Sequence, residues 1–458
     1  MYVTTPAATT AHETGSALYV YAATLVAAIS GLLFGFDIAV INGAIIFLRE
    51  QLRLTEVQTE LAASSLLFGC IFGASVAGWL SDRFGRRRVL MFCAVLFALS
   101  SVAAALPRTL AEFSSARFLG GIAIGAASLL APLYIAEVAP ARIRGRLVSL
   151  NQMAIVTGIL LAYLVNWLLA FAGPAGWRWM FAAAAVPSIA LLLGLFFVPE
   201  SPRWLVENNR AGEALAVLTR VNGATIAGRE LHQIQQTIAG ESGTLRELLQ
   251  PGFRRALWIA VSLAILQQAT GINTVLFYGS IIFREQVGGH SETSAIFANV
   301  VVGLVNFLAT FVALGVIDKL GRRPLLMLST GIMTLCHAGL AAAFLVQPPP
   351  SALVLTAMLC AVGAFAIGLG PGFWVVLSEI FPTRIRGRAM SLATICLWGA
   401  CTLLTMTFLS LARAVSPAGA FLVYSTMCVI TFAIVWRVLP ETKGRTLEEI
   451  ERLWPRRK

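Results

Sequence analysis

Residues Glu137–Leu150 read EVAPARIRGRLVSL, and residues Glu379–Leu392 read EIFPTRIRGRAMSL. The two stretches lie 242 residues apart and agree at nine of fourteen positions, among them Glu137/Glu379, Arg144/Arg386 and Gly145/Gly387. Two further copies keep nearly the same offset. GWLSDRFGRR at Gly78–Arg87 returns as GVIDKLGRR at Gly315–Arg323, which sets Asp82 against Asp318 and Arg86–Arg87 against Arg322–Arg323. PESPRWL after Val198 returns as PETKGRTL after Leu439, which sets Glu200 against Glu441. Three copies in one order mark an internal duplication.

The duplicated body belongs in lipid. The chain of 458 residues is 58% hydrophobic and 12% charged, with a mean hydropathy of +0.81; soluble proteins carry about 25% charged residues. About 20 apolar residues cross the ~30 Å hydrocarbon core, and twelve such spans are predicted. They fall at 19–47, 58–81, 89–106, 112–136, 147–171, 179–198, 256–283, 293–317, 324–346, 352–381, 389–412 and 418–436. The expected fold is all-α and membrane-embedded, with six-helix bundles at 19–198 and 256–439. A helical linker at 199–255 joins them, with short amphipathic helices at 202–209, 211–221 and 229–238, and polar tails occupy 1–18 and 440–458.

The net charge of +12 is a topology signal. Of 34 Lys and Arg, 27 fall in the tails and the even-numbered connections and six in the odd-numbered ones. The positive-inside rule therefore predicts a cell-membrane protein with both termini and the linker in the cytoplasm. Nothing in that pattern resembles the phosphate-tracking patches of a nucleic-acid binder. All seven cysteines lie in apolar spans without metal-ligand spacing, as small buried hydrophobes do. No Lys or Arg precedes Arg49, so the first span lacks the basic leader of a cleaved signal.

Polar residues inside apolar spans are costly and therefore informative. Asp37 is one of three aspartates and stands within span 1, and Arg117 in span 4 is the only intramembrane cation. Their depths differ by about 8 Å at 1.5 Å per residue, which a long Arg nearly covers. The pair reads either as a proton-coupling switch or as a permanent structural ion pair. At the connections, Asp82, Arg86, Arg87, Glu137, Arg144 and Glu200 recur as Asp318, Arg322, Arg323, Glu379, Arg386 and Glu441. Acids repeated in register beside arginines let each half tie its own helix ends with Asp/Glu–Arg bonds, and they are read as a salt-bridge lock between the bundles when the cytoplasmic side is closed.

Span 5 sets Gln152, Val156, Ile159, Tyr163 and Asn166 on one stripe, which serves either helix–helix contact or a polar solute. Span 7 carries Gln267, Gln268, Thr270, Gly271, Asn273 and Thr274. Gln268 and Asn273 converge only if the helix breaks at Gly271, and GLGPG at 368–372 predicts a second break. Span 8 adds Asn306, and span 10 adds Trp374. Neutral amides with indole rings suit an uncharged solute rich in hydroxyls.

These residues closely resemble the sugar-porter branch of the major facilitator superfamily over 19–450. The motifs that carry the likeness are the Gly78–Arg87 signature with its copy, PESPRWL at 199–205, QQATGIN at 267–273 and PETKGR at 440–445. The resemblance implies sugar contacts at Gln152, Gln267, Gln268, Asn273, Asn306, Gly370, Trp374 and Trp398, with Phe34 lining the cavity. It implies that Asp37 and Arg117 are the coupling pair of the proton-driven members, since animal glucose facilitators carry Asn at the Asp37 position. Leu397 and Phe277 depart from polar side chains common among relatives.

The expected function is import of a neutral monosaccharide by proton symport through alternating access, with proton-independent facilitation as the alternative. An exporter and a nutrient sensor fit less well, and no nucleophile–base set or metal cluster supports an enzyme. The expected partners are a neutral monosaccharide, a proton and the lipid bilayer; no cofactor is expected, and the monomer is expected to function alone.

Overall fold

The computed structural model describes residues 15–240, 248–287, 291–381 and 383–443; the side chains of Asp318, Arg384 and Arg386 lie outside the described residues. Helix ends in the first half follow local chemistry. α1 (Ala17–Gln51) begins where the Ser16 hydroxyl accepts the Tyr19 N–H. α2 (Glu56–Phe84) begins on a capping box between Thr55 and Gln58, so the first N–H groups are satisfied at the membrane surface. α3 (Arg86–Ala105), α4 (Leu110–Val138) and α5 (Arg144–Ala170) follow. The sixth span is two pieces, α6 (Gly176–Ala182) and α7 (Ala185–Phe197).

Among the described residues of the connection between halves stand three short helices, α8 (Pro202–Glu207), α9 (Ala211–Asn222) and α10 (Ala224–Gly240); the third starts five residues earlier than expected. The second half holds α11 (Pro251–Ala269), α12 (Ile272–Ile281), α13 (Glu292–Leu320), α14 (Arg322–Ala343), α15 (Ser351–Ala364), α16 (Gly370–Glu379) and α17 (Thr383–Val438). Its 56 residues make α17 too long for one crossing, and Ser416, at φ 70° and ψ 160°, divides it into two. The described chain thus crosses twelve times.

The two expected breaks differ. At Gly271, φ is +80° and α11 ends, so the seventh span is truly interrupted. At 368–372 the helix instead stays continuous through a π-helical turn, Phe365–Leu369, leading into α16 with Pro371 in its first turn. Proline removes one N–H and crowds the carbonyl four residues back; a wider turn accommodates both without a break.

Small residues let helix backbones touch. A Cβ on Gly35 of α1 would run into the Ile155 carbonyl of α5, and one on Gly158 would run into that of Leu32. Gly31, Gly35, Ala39 and Gly43 recur every four residues along α1, and such a stripe of small residues lets a neighbouring helix approach closely. Between halves, α1 meets α12, α2 meets α17 and α5 meets α13. Phe72, Trp79, Phe197, Trp258, Phe311 and Leu335 stand exposed on the outer faces, an apolar coat for lipid.

The turn between α2 and α3 is written twice. Gly85 and Gly321 have φ of +95° and +93°, and a Cβ on either would press on the carboxylate of Glu200 or Glu441. Gly85→Ala is therefore expected to lower stability by more than the ~1 kcal/mol of a strained φ alone. Thermal unfolding of the purified variant checks this, and an unchanged midpoint would refute it.

Candidate functional site

Asp37 and Arg117 are paired at the centre of the first half. Arg117 Nη1 lies 3.4 Å from Asp37 Oδ1, and Nη2 donates to the backbone carbonyl of Asp37 at 2.6 Å. Asp37 is 2% exposed and Arg117 1%. The guanidinium also sits over the Phe181 ring, 5.1 Å from its centroid, with Phe113 packed edge-on beside it. The carboxylate contact is long for a charge-assisted bond, and among the described residues Asp37 Oδ2 and Arg117 Nε have no partner. The depth mismatch seen in the sequence is bridged because the guanidinium reaches the helix backbone as well as the carboxylate.

A second cluster joins residues of both halves. Gln267 and Gln268 close α11 just before the break, and Asn273 lies just after it. The break turns Asn273 back so that its amide donates to Gln268 Oε1, as the spacing required, and it also reaches Cys401 Sγ at 3.1 Å. Gln267 Nε2 donates to the Leu369 carbonyl, next to Gly370. Trp398, one turn before Cys401 on α17, meets Phe34 of α1 across the halves with ring centroids 5.6 Å apart. Its indole Nε1 is buried without a partner. Phe34 precedes Asp37 by one turn on α1, so one helix carries both clusters.

Gln152, Asn306 and Trp374 make no direct contact with this cluster in the described bonds and ring pairs. Gln152 and Asn306 have no hydrogen-bond partner among the described residues. The span 5 stripe therefore divides. Gln152 keeps its amide unused, while Tyr163 donates to the Leu276 carbonyl and Asn166 to that of Val40, both acting as helix–helix contacts. Leu397 and Phe277 are packed in the apolar core.

Sequence reasoning missed the polar clasp between halves. Asn42, fully buried on α1, donates to the carbonyl of Leu276 at 2.8 Å and that of Val275 at 3.1 Å. Its Oδ1 accepts from the Ser280 N–H and hydroxyl, and Asn299 of α13 closes the set by donating to Ser280 Oγ. Nearby, Glu60 of α2 accepts from the N–H and hydroxyl of Ser410 on α17, at 2.8 and 2.7 Å. Arg413 pairs with Glu56, and Arg284 with Glu50. The usable signal was a lone amide, and a carboxylate near a span start, within apolar surroundings.

At the arginine-rich end the duplication reappears as matched bonds. Arg86 grips Glu137 through Nε and Nη2 at 3.1 and 3.3 Å, and Ser201 Oγ donates to the same carboxylate. Arg322 Nη2 and Thr442 Oγ1 do the same to Glu379 at 2.9 and 2.6 Å. Glu200 accepts the Arg87 N–H at the start of α3, and Glu441 those of Arg322 and Arg323 at the start of α14. Burial opposes the charge of Glu441, yet backbone N–H groups of Lys443, Arg322, Arg323 and Thr442 hold its carboxyl below the usual carboxylate range.

Asp82 touches Arg86 at 3.4 Å. Arg144 is exposed, near the charge of Glu230 and without an ion pair among the described residues. Asp318 and Arg386 fall outside the described side chains. The described ion pairs at this end tie the first half to itself and to the connection, and the second half to itself, while across the halves the charge of Arg388 acts on Asp82. Described bonds across the halves lie instead at the opposite end, around Asn42 and Glu60.

Two related helical halves, with polar side chains buried where they meet, define a multi-pass membrane transporter. The chain belongs to the sugar (and other) transporter family, whose model matches residues 23–454. It is 37% identical to the arabinose-proton symporter of Bacillus subtilis, covering 97% of each chain. It is 38% identical to the D-xylose-proton symporter of Escherichia coli K12, covering 95% of this chain and 96% of that one. Its fold matches the E. coli xylose transporter XylE in a partially occluded inward open conformation, with a TM-score of 0.84 at 35% identity, over 94% of this chain and all of that one.

Proposed function

We propose that this chain imports a neutral monosaccharide, a hexose or a pentose, together with a proton, by alternating access of its two halves. The observation that carries the reading is the buried Asp37–Arg117 pair on the helix that also presents Phe34 to Trp398. Asp37 Oδ2 is free to take a proton, and a neutral Asp37 no longer attracts Arg117. Loosening that pair moves α1, and α1 moves the wall of the cluster at Trp398. Proton symport by the arabinose and xylose relatives supports this coupling. The unused amides of Gln152 and Asn306, with Gln267, Gln268, Asn273 and the Trp398 indole, offer donors and acceptors to sugar hydroxyls. Trp374 and Gly370 complete the proposed site on the second half.

The arginine-rich end, with both termini, is proposed to face the cytoplasm. The clasp at the other end then closes the outside, and the paired, deprotonated Asp37 belongs to the inward-facing state after proton release. Within each half the Glu137 and Glu379 networks tie helix ends into a rigid body. The arginines and Asp82, Asp318 and Arg386 are proposed to meet across the halves only in the outward-facing state. Each chain contains a complete pair of halves, so the monomer is the working unit.

Uptake of labelled xylose, arabinose, galactose and glucose into proteoliposomes tests the reading. Accumulation under an inward proton gradient, abolished by a protonophore, is expected for at least one sugar. Equilibration indifferent to the gradient would mean facilitation instead.

The clasp gives a separate expectation. Asn42→Leu takes the side-chain acceptor from the Ser280 N–H and the side-chain donor from the Val275 carbonyl, at ~1–3 kcal/mol, only in the state closed to the outside. Outside accessibility of a cysteine placed near Glu60 is therefore expected to rise by roughly 5- to 150-fold. Unchanged labelling would remove Asn42 from the gate.

A further inference from the structure

The second half carries a groove on its lipid-facing side. It measures about 910 Å³ and runs between α14 and the last stretch of α17, lined by Arg323, Met327, Gly331, Leu335, Phe432 and Trp436. From Arg323 to Leu335 the groove follows twelve residues of helix, ~18 Å at 1.5 Å per residue. One leaflet of a ~30 Å hydrocarbon core is about that deep. Its floor is Gly331, whose open side faces Phe432; the duplicate position in the first half, 236 residues earlier, is Val95.

The rim is cationic. In the first half Arg87 uses both Nε and Nη2 on the carbonyls of Leu195 and Phe196. Among the described residues the guanidinium of its duplicate Arg323 reaches the Trp436 carbonyl alone, and its Nε has no partner. Arg437, exposed, holds its guanidinium 5.8 Å from the ring of Trp436, the indole that lines the groove. Glu441 is turned to the backbone N–H groups of Arg322 and Arg323.

We infer that this groove binds one anionic phospholipid. An acyl chain lies over Gly331, and the phosphodiester sits between Arg323 and Arg437 beside the interfacial indole of Trp436. An apolar slot one leaflet deep, ending in guanidinium groups, has the chemistry of basic lipid sites between membrane helices. The inference needs only the membrane fold and is independent of the transported solute.

Native mass spectrometry of the purified protein, titrated with phosphatidylglycerol or phosphatidylethanolamine, tests it. Phosphatidylglycerol is expected to be retained about 5-fold or more over phosphatidylethanolamine, as ~1 kcal/mol per arginine implies. Gly331→Leu, which fills the groove, is expected to lose the lipid. The surface change Arg437→Gln leaves the core intact and is expected to remove the preference but not the binding. Equal retention of the two lipids by the wild type would overturn the inference, as would retention by Gly331→Leu, an undiminished preference in Arg437→Gln, or a lipid-free dimer showing a second chain in the groove.

Discussion

Asp37→Asn is expected to bring internal sugar only to the external concentration, whatever proton gradient is imposed, while exchange of labelled for unlabelled sugar continues. One proton moving down 100 mV provides about 2.3 kcal/mol. At 1.4 kcal/mol per decade this sustains a roughly fifty-fold sugar gradient. In the proposed coupling the whole of that ratio rests on Asp37 titrating as the halves move. Asparagine keeps the shape of Asp37 and can still meet Arg117, but it cannot carry a proton. Phe34 and the Gln267–Gln268–Asn273 cluster are untouched, so the sugar pathway should survive. Normal accumulation by the variant would detach proton coupling from Asp37, and loss of exchange as well would make Asp37 part of the sugar pathway.

Arg117→Ala is expected to be the most destabilising single change in the first half. The guanidinium neutralises Asp37, bonds its backbone carbonyl and covers the Phe181 ring, with both charged residues almost fully buried. Removing one partner of a buried pair costs about 3–5 kcal/mol, because the other charge remains unpaired. Thermal unfolding in detergent measures the loss. The double variant Asp37→Asn/Arg117→Ala should recover a large part of it, since no charge is then stranded. A single-variant effect within ~0.5 kcal/mol, the size of ordinary surface changes, would show that Arg117 does not compensate a buried charge.

The duplication, the twelve crossings and the Asp37–Arg117 pair were legible in the sequence because each rests on local cost. Apolar length reports crossings, repeated motifs report repeated turns, and an ion in lipid demands a counter-ion. The break at Gly271 was legible too, since Gln268 and Asn273 could converge in no other way. What stayed hidden depends on how separate bodies dock. Asn42 and Leu276 are 234 residues apart and Glu60 and Ser410 are 350 apart. No periodicity along α1 or α2 reports which helix of the other half arrives there. The arginine networks show the same limit in reverse. Their residues were identified from the repeat, but the repeat does not say whether Arg86 answers Glu137 in its own half, as it does here, or an acid across the interface. At 368–372, composition named the irregularity, and only the backbone distinguishes a π-helical turn from a break.

The central claim is that sugar and proton move together through a step governed by Asp37. The most direct test adds sugar to proteoliposomes that hold no proton gradient and follows external pH with a sensitive dye. Sugar entry that draws protons inward, raising external pH in the wild type but not in Asp37→Asn, is the result expected. Sugar entry without any pH change in the wild type would contradict the account and leave a facilitator in which Asp37–Arg117 is a structural pair.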